Sequence, residues 1–369
     1  MGVLSFRKRY RFCLTLEEAV GKIRVGVIGA GSWTVASHLP NLARHDDVEF
    51  VAVSRKGTDL LTKIKDDYNF AIASEDYQDV LDAGIDVCIV ASPSGLHHEH
   101  AAAALRAGAH VMCEKPFTIN PADAWDLSDI ATEEGRELVV AFGWNYRPMV
   151  QRAKAMMDEY GIGHMEQLSV FMASATRDLL SNRGAYPDAA PEAVPEQATW
   201  TDRSLSGGGY GQAQLSHALG MALWLSGART ASGFAFEATA LDAPVELHNA
   251  ITYTYDGGAI GVVSGGSAHT GAWNNKHSLE VRGIGSGGQF LIDVEREAFW
   301  LNSDGVDRQL DLTPGEGLYD CVGPIDAVLS AARGEEFVNQ SPAELGARTV
   351  EALDIAYRSA DSGTVAYRA

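Results

Sequence analysis

Two short segments hold the residues best suited to chemistry. Gly29-Ala30-Gly31-Ser32-Trp33-Thr34 follows an apolar run and opens a helical pattern, and Glu114-Lys115-Pro116 follows a later apolar run. Glycines at the first spacing let the backbone turn tightly beside a pyrophosphate, which the N–H groups opening the helix would hold. Gly29, Gly31, Ser32 and Trp33 are therefore expected cofactor contacts, although Thr34 stands where a third glycine is usual. A lysine such as Lys115, delivered to the same sheet edge, can donate to a hydroxyl and stabilise the alkoxide that develops as hydride leaves. Together the two segments point to hydride transfer with a nicotinamide dinucleotide, with Glu114 beside the lysine at the cofactor edge.

The end of the second apolar run bears on which dinucleotide. A site for NAD usually places Asp or Glu there to accept from the ribose 2′-hydroxyl. This chain has Ser54-Arg55-Lys56 instead, a hydroxyl and two cations suited to a 2′-phosphate, so NADP is favoured over NAD. Ser92 and Pro93, with His97 opening the next helix, fall at the end of a further strand and join the expected cofactor edge. His97, His98 and His100 do not share the i,i+4 spacing of helical metal ligands, so no metal is expected.

These segments need a scaffold, and the pattern from Lys22 onward supplies one. Apolar strands are expected at 23–28, 48–54, 70–72, 86–90, 109–113 and 137–142, with helices at 32–44, 58–67, 97–107 and 122–134. Continuous apolar strands alternating with amphipathic helices predict an α/β fold, a doubly wound parallel sheet covered on both faces. After Arg147 the pattern changes to a helix at 148–160, a strand at 165–172 and an irregular, proline-punctuated stretch at 177–206. A triple glycine then opens a helix running to about 225, and alternating strands follow between 231 and 312. These predict a large open, mostly antiparallel sheet with one face free. Helices at 317–333 and 342–361 are expected to return to the first unit. The division is thus an extension at 1–22, a dinucleotide-binding domain at 23–147 and a substrate and oligomerisation domain at 148–369.

Composition narrows the field. A net charge of −20 argues against a phosphate-backbone partner, and no apolar run is long enough to span a membrane. The four cysteines are widely spaced, without a zinc or disulfide pattern. Arg7-Lys8-Arg9 is not followed by an apolar stretch of the signal-peptide kind. A reducing, cytoplasmic setting is the expectation.

Gly29-Ala30-Gly31, the Ser92-Pro93 turn with His97, the run Ala107-Gly108-Ala109-His110-Val111-Met112-Cys113-Glu114-Lys115-Pro116, and Gly143-Trp144-Asn145-Tyr146-Arg147 together resemble the signatures of the glucose–fructose oxidoreductase, inositol dehydrogenase and rhizopine-catabolism (Gfo/Idh/MocA) family. The resemblance extends over residues 22–365. It implies a Rossmann domain, a second domain with an open sheet, a homodimer or homotetramer built through that sheet, and chemistry on sugars, inositols or related polyols. It also implies that Asn145, Tyr146 and Arg147 line the substrate. Members commonly carry Asp, then His four residues later, then Asp three further on, after the triple glycine. Here His217 is kept, but Ala213 and Gly220 occupy the acidic positions. His217 is the implied acid/base, with Gln212 and Gln214 as substituted substrate contacts. Trp273 to His277 follows a glycine-rich strand end and is a further candidate for the pocket edge, with no role assigned. Two other activities fit the resemblance: a redox-assisted glycoside lyase or glycosidase, and a non-catalytic cofactor-sensing regulator.

Overall fold

The structure, a computed structural model, describes residues 21–186, 196–268 and 277–369. Residues 1–20 of the expected N-terminal extension, the three prolines of the 177–206 stretch and Trp273 to Lys276 lie outside the described residues.

Six strands form a parallel sheet: β1 Ile23–Ile28, β2 Val48–Ser54, β3 Ile72–Ser74, β4 Val87–Val90, β5 His110–Cys113 and β6 Leu138–Val140. Their order is β3-β2-β1-β4-β5-β6, all pairs parallel. The order reverses between β1 and β4, which opens a crevice at the carboxyl ends of those strands. Nearly every side chain of β1, β4 and β5 is buried, which is why these strands read as unbroken apolar runs. Hydrogen bonds beyond the strand ends align the loops at this edge. Gly29 and Ala30 donate to the Ser54 carbonyl, Ala91 donates to Ile28, and Glu114 donates to Val90.

The second sheet has nine strands: β7 Met165–Ser174, β8 Thr230–Ala238, β9 His248–Tyr255, β10 Ile260–Ser267, β11 His277–Gly285, β12 Gly288–Asp293, β13 Ala298–Ser303, β14 Val306–Gln309 and β15 Ala366–Tyr367. Their order is β14-β13-β12-β11-β7-β10-β9-β8-β15. It is antiparallel except where β10 runs parallel to β7. One face buries Leu168, Val170, Met172, Ile251, Val263, Leu279, Val281, Phe290 and Ile292. The helix Ser216–Ser226 packs on β7 and β11, and the helix Ala343–Ser362 packs on β8. The other face leaves Phe171, Phe236, Ile260 and Val262 exposed.

The C-terminal helices pack against both sheets. Val322–Arg333 covers β5 and β6, while Ala343–Ser362 lies between the helix Pro121–Glu133 of the first sheet and β8 of the second. One apolar cluster therefore runs continuously from the first sheet into the second.

Several local expectations needed correction. The helix expected at 32–44 begins with a wide π turn at Thr34–His38 before Leu39–Leu42. The third strand sits slightly later than expected, and the short helix Gln78–Asp82 was not foreseen. The 177–206 stretch contains one-turn helices at Arg177–Leu180, Ala198–Thr201 and Arg203–Ser206, on either side of its prolines.

Candidate active site

The phosphate loop is shaped by its two glycines in different ways. Gly29 has φ +88°, and a Cβ there would lie 2.3 Å from the Ser92 amide nitrogen, so only glycine lets the β1 and β4 loops touch. At Gly31 a Cβ would meet nothing closer than the loop's own Gly29 carbonyl at 4.0 Å. The second glycine thus keeps an open cradle at the start of a helix, the shape a pyrophosphate requires. Thr34 is buried, and its hydroxyl donates to the Gly29 carbonyl at 3.2 Å, so the larger third residue is absorbed as a brace for the turn.

Beside the β2 end, the Ser54 carbonyl holds the glycine turn, Arg55 is half-buried, and Lys56 is exposed. The Arg55 Nε donates to the Lys56 carbonyl, while its Nη1 is buried without a partner among the described residues. Burial pulls its pKa down, opposed by the charge of Glu196. Glu75, the nearby acid, accepts from the Gly57 amide and the Thr58 hydroxyl.

The Ser92 turn is fixed by histidines. His97 is fully buried, with Nε2 2.7 Å from the Ser92 carbonyl and Nδ1 2.9 Å from the Pro116 carbonyl. It clamps the β4 loop onto the β5 loop and has no nitrogen left for a ligand. His100 bonds the Ser92 hydroxyl, and His98 pairs with Asp126, so the three histidines face separate partners.

Glu114 and Lys115 leave β5 at the centre of this edge, the Lys115–Pro116 bond being cis. Glu114 is buried and bonds His38 Nε2 at 2.7 Å and the Lys115 amide at 2.9 Å. Burial raises its pKa, but His38 and Lys115 outweigh that and hold the carboxyl below its ordinary range. Its role is thus to anchor the loop from within. The thiol of Cys321 completes a buried trio with His38 and Glu114, their ligand atoms within 4.8 Å of one another. Burial pushes that thiol up to about 12. The Lys115 ammonium crosses to the second sheet's side and donates to the Ala213 carbonyl at 3.0 Å. Burial lowers its pKa, with the charge of Glu114 acting the other way.

Ala213 belongs to a π turn, Gly211–Leu215, that leads into the helix Ser216–Ser226. Buried Glu246 holds the start of this segment. Its carboxylate accepts from the Gly209 amide at 2.9 Å, the Gly211 amide at 3.0 Å and the Tyr357 hydroxyl at 2.6 Å. The triple glycine permits this approach, since a Cβ on Gly208 would lie 2.2 Å from the Tyr357 oxygen. At Gly220 a Cβ would lie 2.9 Å from the Phe142 ring, so this helix face has no room for a larger side chain there.

His217 follows one turn after Ala213. It is buried, and its Nδ1 has no partner among the described residues. Burial, then the charges of Lys115 and His277, hold its pKa well below the ordinary histidine value. The imidazole is therefore neutral near pH 7. Its ring lies edge-on to Trp144 at 5.3 Å and to Tyr319 at 5.1 Å. His277 flanks the same two rings at 5.2 and 6.2 Å, and its Nε2 is 3.1 Å from the Tyr186 hydroxyl. Trp33, from the phosphate-loop helix, meets Tyr319 from the cofactor side at 6.2 Å.

The structure brings Gly29, Gly31, Trp33, Ser92, Glu114, Lys115 and His217 to one edge. It gives others protein partners. The Tyr146 hydroxyl bonds Ser341 and Asn339, and Arg147 pairs with Asp320 and the Gly315 carbonyl. Both tie the entry helix to the returning C-terminal segment. Asn145 donates to the Gln340 carbonyl, while among the described residues its buried Oδ1 has no partner, nor have the Oε1 atoms of Gln212 and Gln214. Sequence reasoning missed Tyr186, Tyr319, His38 and Cys321, and named His277 without giving it a role. Apart from His38, which ends the turn Thr34–His38, they come from loops and strand ends that have no periodic signal, and only the fold makes them neighbours.

A Rossmann sheet with an open glycine cradle, and a lysine and a neutral histidine at its carboxyl edge, define the nicotinamide-dependent oxidoreductase class. The chain belongs to the GFO/IDH/MocA oxidoreductase family. Residues 23–142 match that family's NAD-binding Rossmann fold, and residues 150–289 match a GFO/IDH/MocA C-terminal domain. It is 30% identical over 188 residues to D-glucoside 3-dehydrogenase of Escherichia coli, covering 51% of this chain and 49% of that protein. Over 162 residues it is 29% identical to the NADP(+)-dependent scyllo-inositol 2-dehydrogenase of Bacillus subtilis, covering 44% of each. The chain thus spans about half the length of the curated relatives it matches. The fold is similar to that of levoglucosan dehydrogenase in complex with NADH and levoglucosan, with a TM-score of 0.75, 20% identity, and 94% and 99% of the two chains covered. Among the described residues, no helix is long and apolar enough to cross a membrane.

Proposed function

We propose that this oxidoreductase transfers hydride between NADP and a hydroxyl or carbonyl carbon of a sugar, inositol or related polyol. The carrying observation is the Lys115 ammonium bound to the Ala213 carbonyl, one turn before His217. Two segments far apart in sequence thereby share one site at the cofactor edge. The cradle fits the dinucleotide, because Gly31 leaves open space where a pyrophosphate would lie and Arg55 keeps a buried donor without a partner among the described residues. Gly29, Gly31, Ser32 and Trp33 would hold its centre, and Ser54, Arg55 and Lys56 its 2′-phosphate; bound there, it supplies the hydride acceptor or donor.

In the oxidative direction Lys115 keeps its protons and donates one hydrogen bond to the substrate oxygen. As negative charge grows on that oxygen, the ammonium stabilises it without reorganisation, because Glu114 and the β5 end hold it in place. His217, neutral near pH 7, accepts the hydroxyl proton. Reduction runs the same groups in reverse. The flanking rings of Trp144 and Tyr319 exclude water from the imidazole.

Assembly as a homodimer or homotetramer through the exposed face of the nine-stranded sheet belongs to this reading, supported by Phe236 at 68% and Ile260 at 58% exposure. So do the two-domain division at Arg147 and a cytoplasmic setting, the latter supported by the buried free thiols Cys88, Cys113 and Cys321.

The test is nicotinamide absorbance with NADPH and NADH against aldoses, ketoses, inositols and glycosides, repeated with Lys115→Met. The variant should bind cofactor normally and lose about 10²–10³-fold in turnover, as loss of one preorganised donor does. Near-normal turnover would remove Lys115 from the mechanism.

A further inference from the structure

Arg203 stands apart from the reacting atoms, yet its turn touches both halves of the site. It opens the one-turn helix Arg203–Ser206, which is capped by the Asp202 carboxylate accepting from the Ser204 amide at 2.9 Å. On one side this turn rests on the β4 loop at the cofactor edge. A Cβ on Gly95 would lie 2.9 Å from the Ser204 carbonyl oxygen and 3.4 Å from that of Leu205. On the other side the turn runs directly into the triple glycine, where the Ser206 hydroxyl donates to the Gly208 carbonyl at 2.7 Å. The guanidinium of Arg203 fastens the turn to the second sheet. It pairs with Glu237 of β8 at 3.1 Å, with Asp361 of the helix Ala343–Ser362 at 3.5 Å and with Glu246 at 3.9 Å. It also lies 5.6 Å from the centre of the Tyr357 ring. The arginine side chain is 45% exposed, so each pair alone contributes little, and the hold comes from three carboxylates converging on one cation. Glu246 is also the carboxylate that carries the Gly209 and Gly211 amides, so the turn and the catalytic segment share one network. Glu237 faces Arg203, Glu246 and Asp361, with neutral Asn249 opposite it on β9. Burial, then the Glu246 charge, push Glu237 up to about 7, with Arg203 acting the other way.

We propose that Arg203 is a positioning residue of the hydride-transfer site, clamping the β4 loop at the cofactor edge to the turn that carries Ala213 and His217. The proposal rests on the functional reading above, which puts the dinucleotide along the β4 loop and His217 at the reacting carbon. With a dinucleotide against the β4 loop, Ser204 and Leu205 are held from both sides. The chain carries that restraint through Gly207 to Gly209 and Ala213. Arg203 keeps the turn from lifting off Gly95, and the restraint is lost when its ion pairs are lost. Glu237 makes the clamp depend on pH. Below about pH 7 its carboxyl is protonated, and Arg203 loses the closest of its three partners.

The experiment measures amide hydrogen exchange over residues 203–215 with and without saturating NADPH, at pH 6 and pH 8. Taking the ratio of the two rates at each pH removes the intrinsic pH dependence of exchange, and NADPH binding is read in parallel by fluorescence titration. At pH 8 NADPH should slow exchange in the parent about tenfold, an ordinary coupling between neighbouring sites. Arg203→Gln should still bind NADPH but show a slowing of less than about twofold, and Arg203→Lys, which keeps the charge, should recover most of it. In the parent the slowing should shrink at pH 6, and Glu237→Gln should show that reduced slowing at both pH values. Glu237→Gln also carries the test if Arg203→Gln does not fold. The parent's full slowing in a folded Arg203→Gln variant would overturn the clamp. A parent response that ignores pH, or a Glu237→Gln variant that keeps the parent's pH response, would overturn the part assigned to Glu237. Failure of the parent itself to bind NADPH would instead defeat the functional reading, so the two failures are distinguishable.

Discussion

Glu246→Gln tests how the catalytic helix is held. The carboxylate is buried and accepts from two backbone amides, Gly209 and Gly211, and from the Tyr357 hydroxyl. Arg203 provides a more distant counter-charge at 3.9 Å. The amide of glutamine retains one acceptor oxygen and turns an NH₂ group toward donors that have no use for it. At least one charge-assisted hydrogen bond is lost and one donor is left facing another. Bonds to charged groups contribute about 1.5–3 kcal/mol each, so the variant should lose about 2–4 kcal/mol. Urea unfolding should show a lower midpoint with little change in slope. Glu237, pushed up to about 7 by burial and then by the Glu246 charge, should move back toward its ordinary value in a carboxylate titration. Turnover should fall while cofactor affinity holds, because Gln212, Ala213 and His217 are all positioned by this anchor and the phosphate loop is not. A midpoint within about 0.5 kcal/mol of the parent, the range of ordinary surface substitutions, would refute the reasoning.

Gly31→Ala should fold with unchanged stability yet lose NADPH affinity in a fluorescence titration, since its methyl enters open space. Gly29→Ala should lower the melting temperature markedly, because its Cβ meets the Ser92 backbone. His97, His100, His110 and His217 are all held below the ordinary histidine value, chiefly by burial. The unfolded chain therefore binds protons that the folded chain does not once pH falls below about 6.5, and stability should drop from pH 7.5 to 5.5. Glu237, shifted upward, acts in the opposite sense over part of that window but is one group against four. Urea midpoints at the two pH values decide it. Ile260→Lys with Val262→Glu on the open sheet face should shift a dimer or tetramer to monomer by light scattering, leaving the monomer's melting curve largely intact.

The sequence by itself determined the parallel sheet, because strands buried on both faces must be apolar throughout, and this leaves an unmistakable run at β1, β4 and β5. It also determined the glycine cradle and the place of Lys115, since both follow a strand end directly and need no distant partner. The helix bearing His217 was legible from the triple glycine and its resemblance to relatives. Tertiary structure alone decided the rest. Glu114 read as a cofactor contact, but its carboxylate turns inward to His38, a residue 76 positions away. Tyr146 and Arg147 read as substrate contacts, but the returning C-terminal segment reaches their polar atoms first. His277 and Tyr186 meet at the site because β11 begins beside β7, a pairing set by the packing of two distant segments. Local rules govern how a chain turns and which face it buries. Which polar groups finally meet depends on contacts between elements, and no spacing along the chain encodes those.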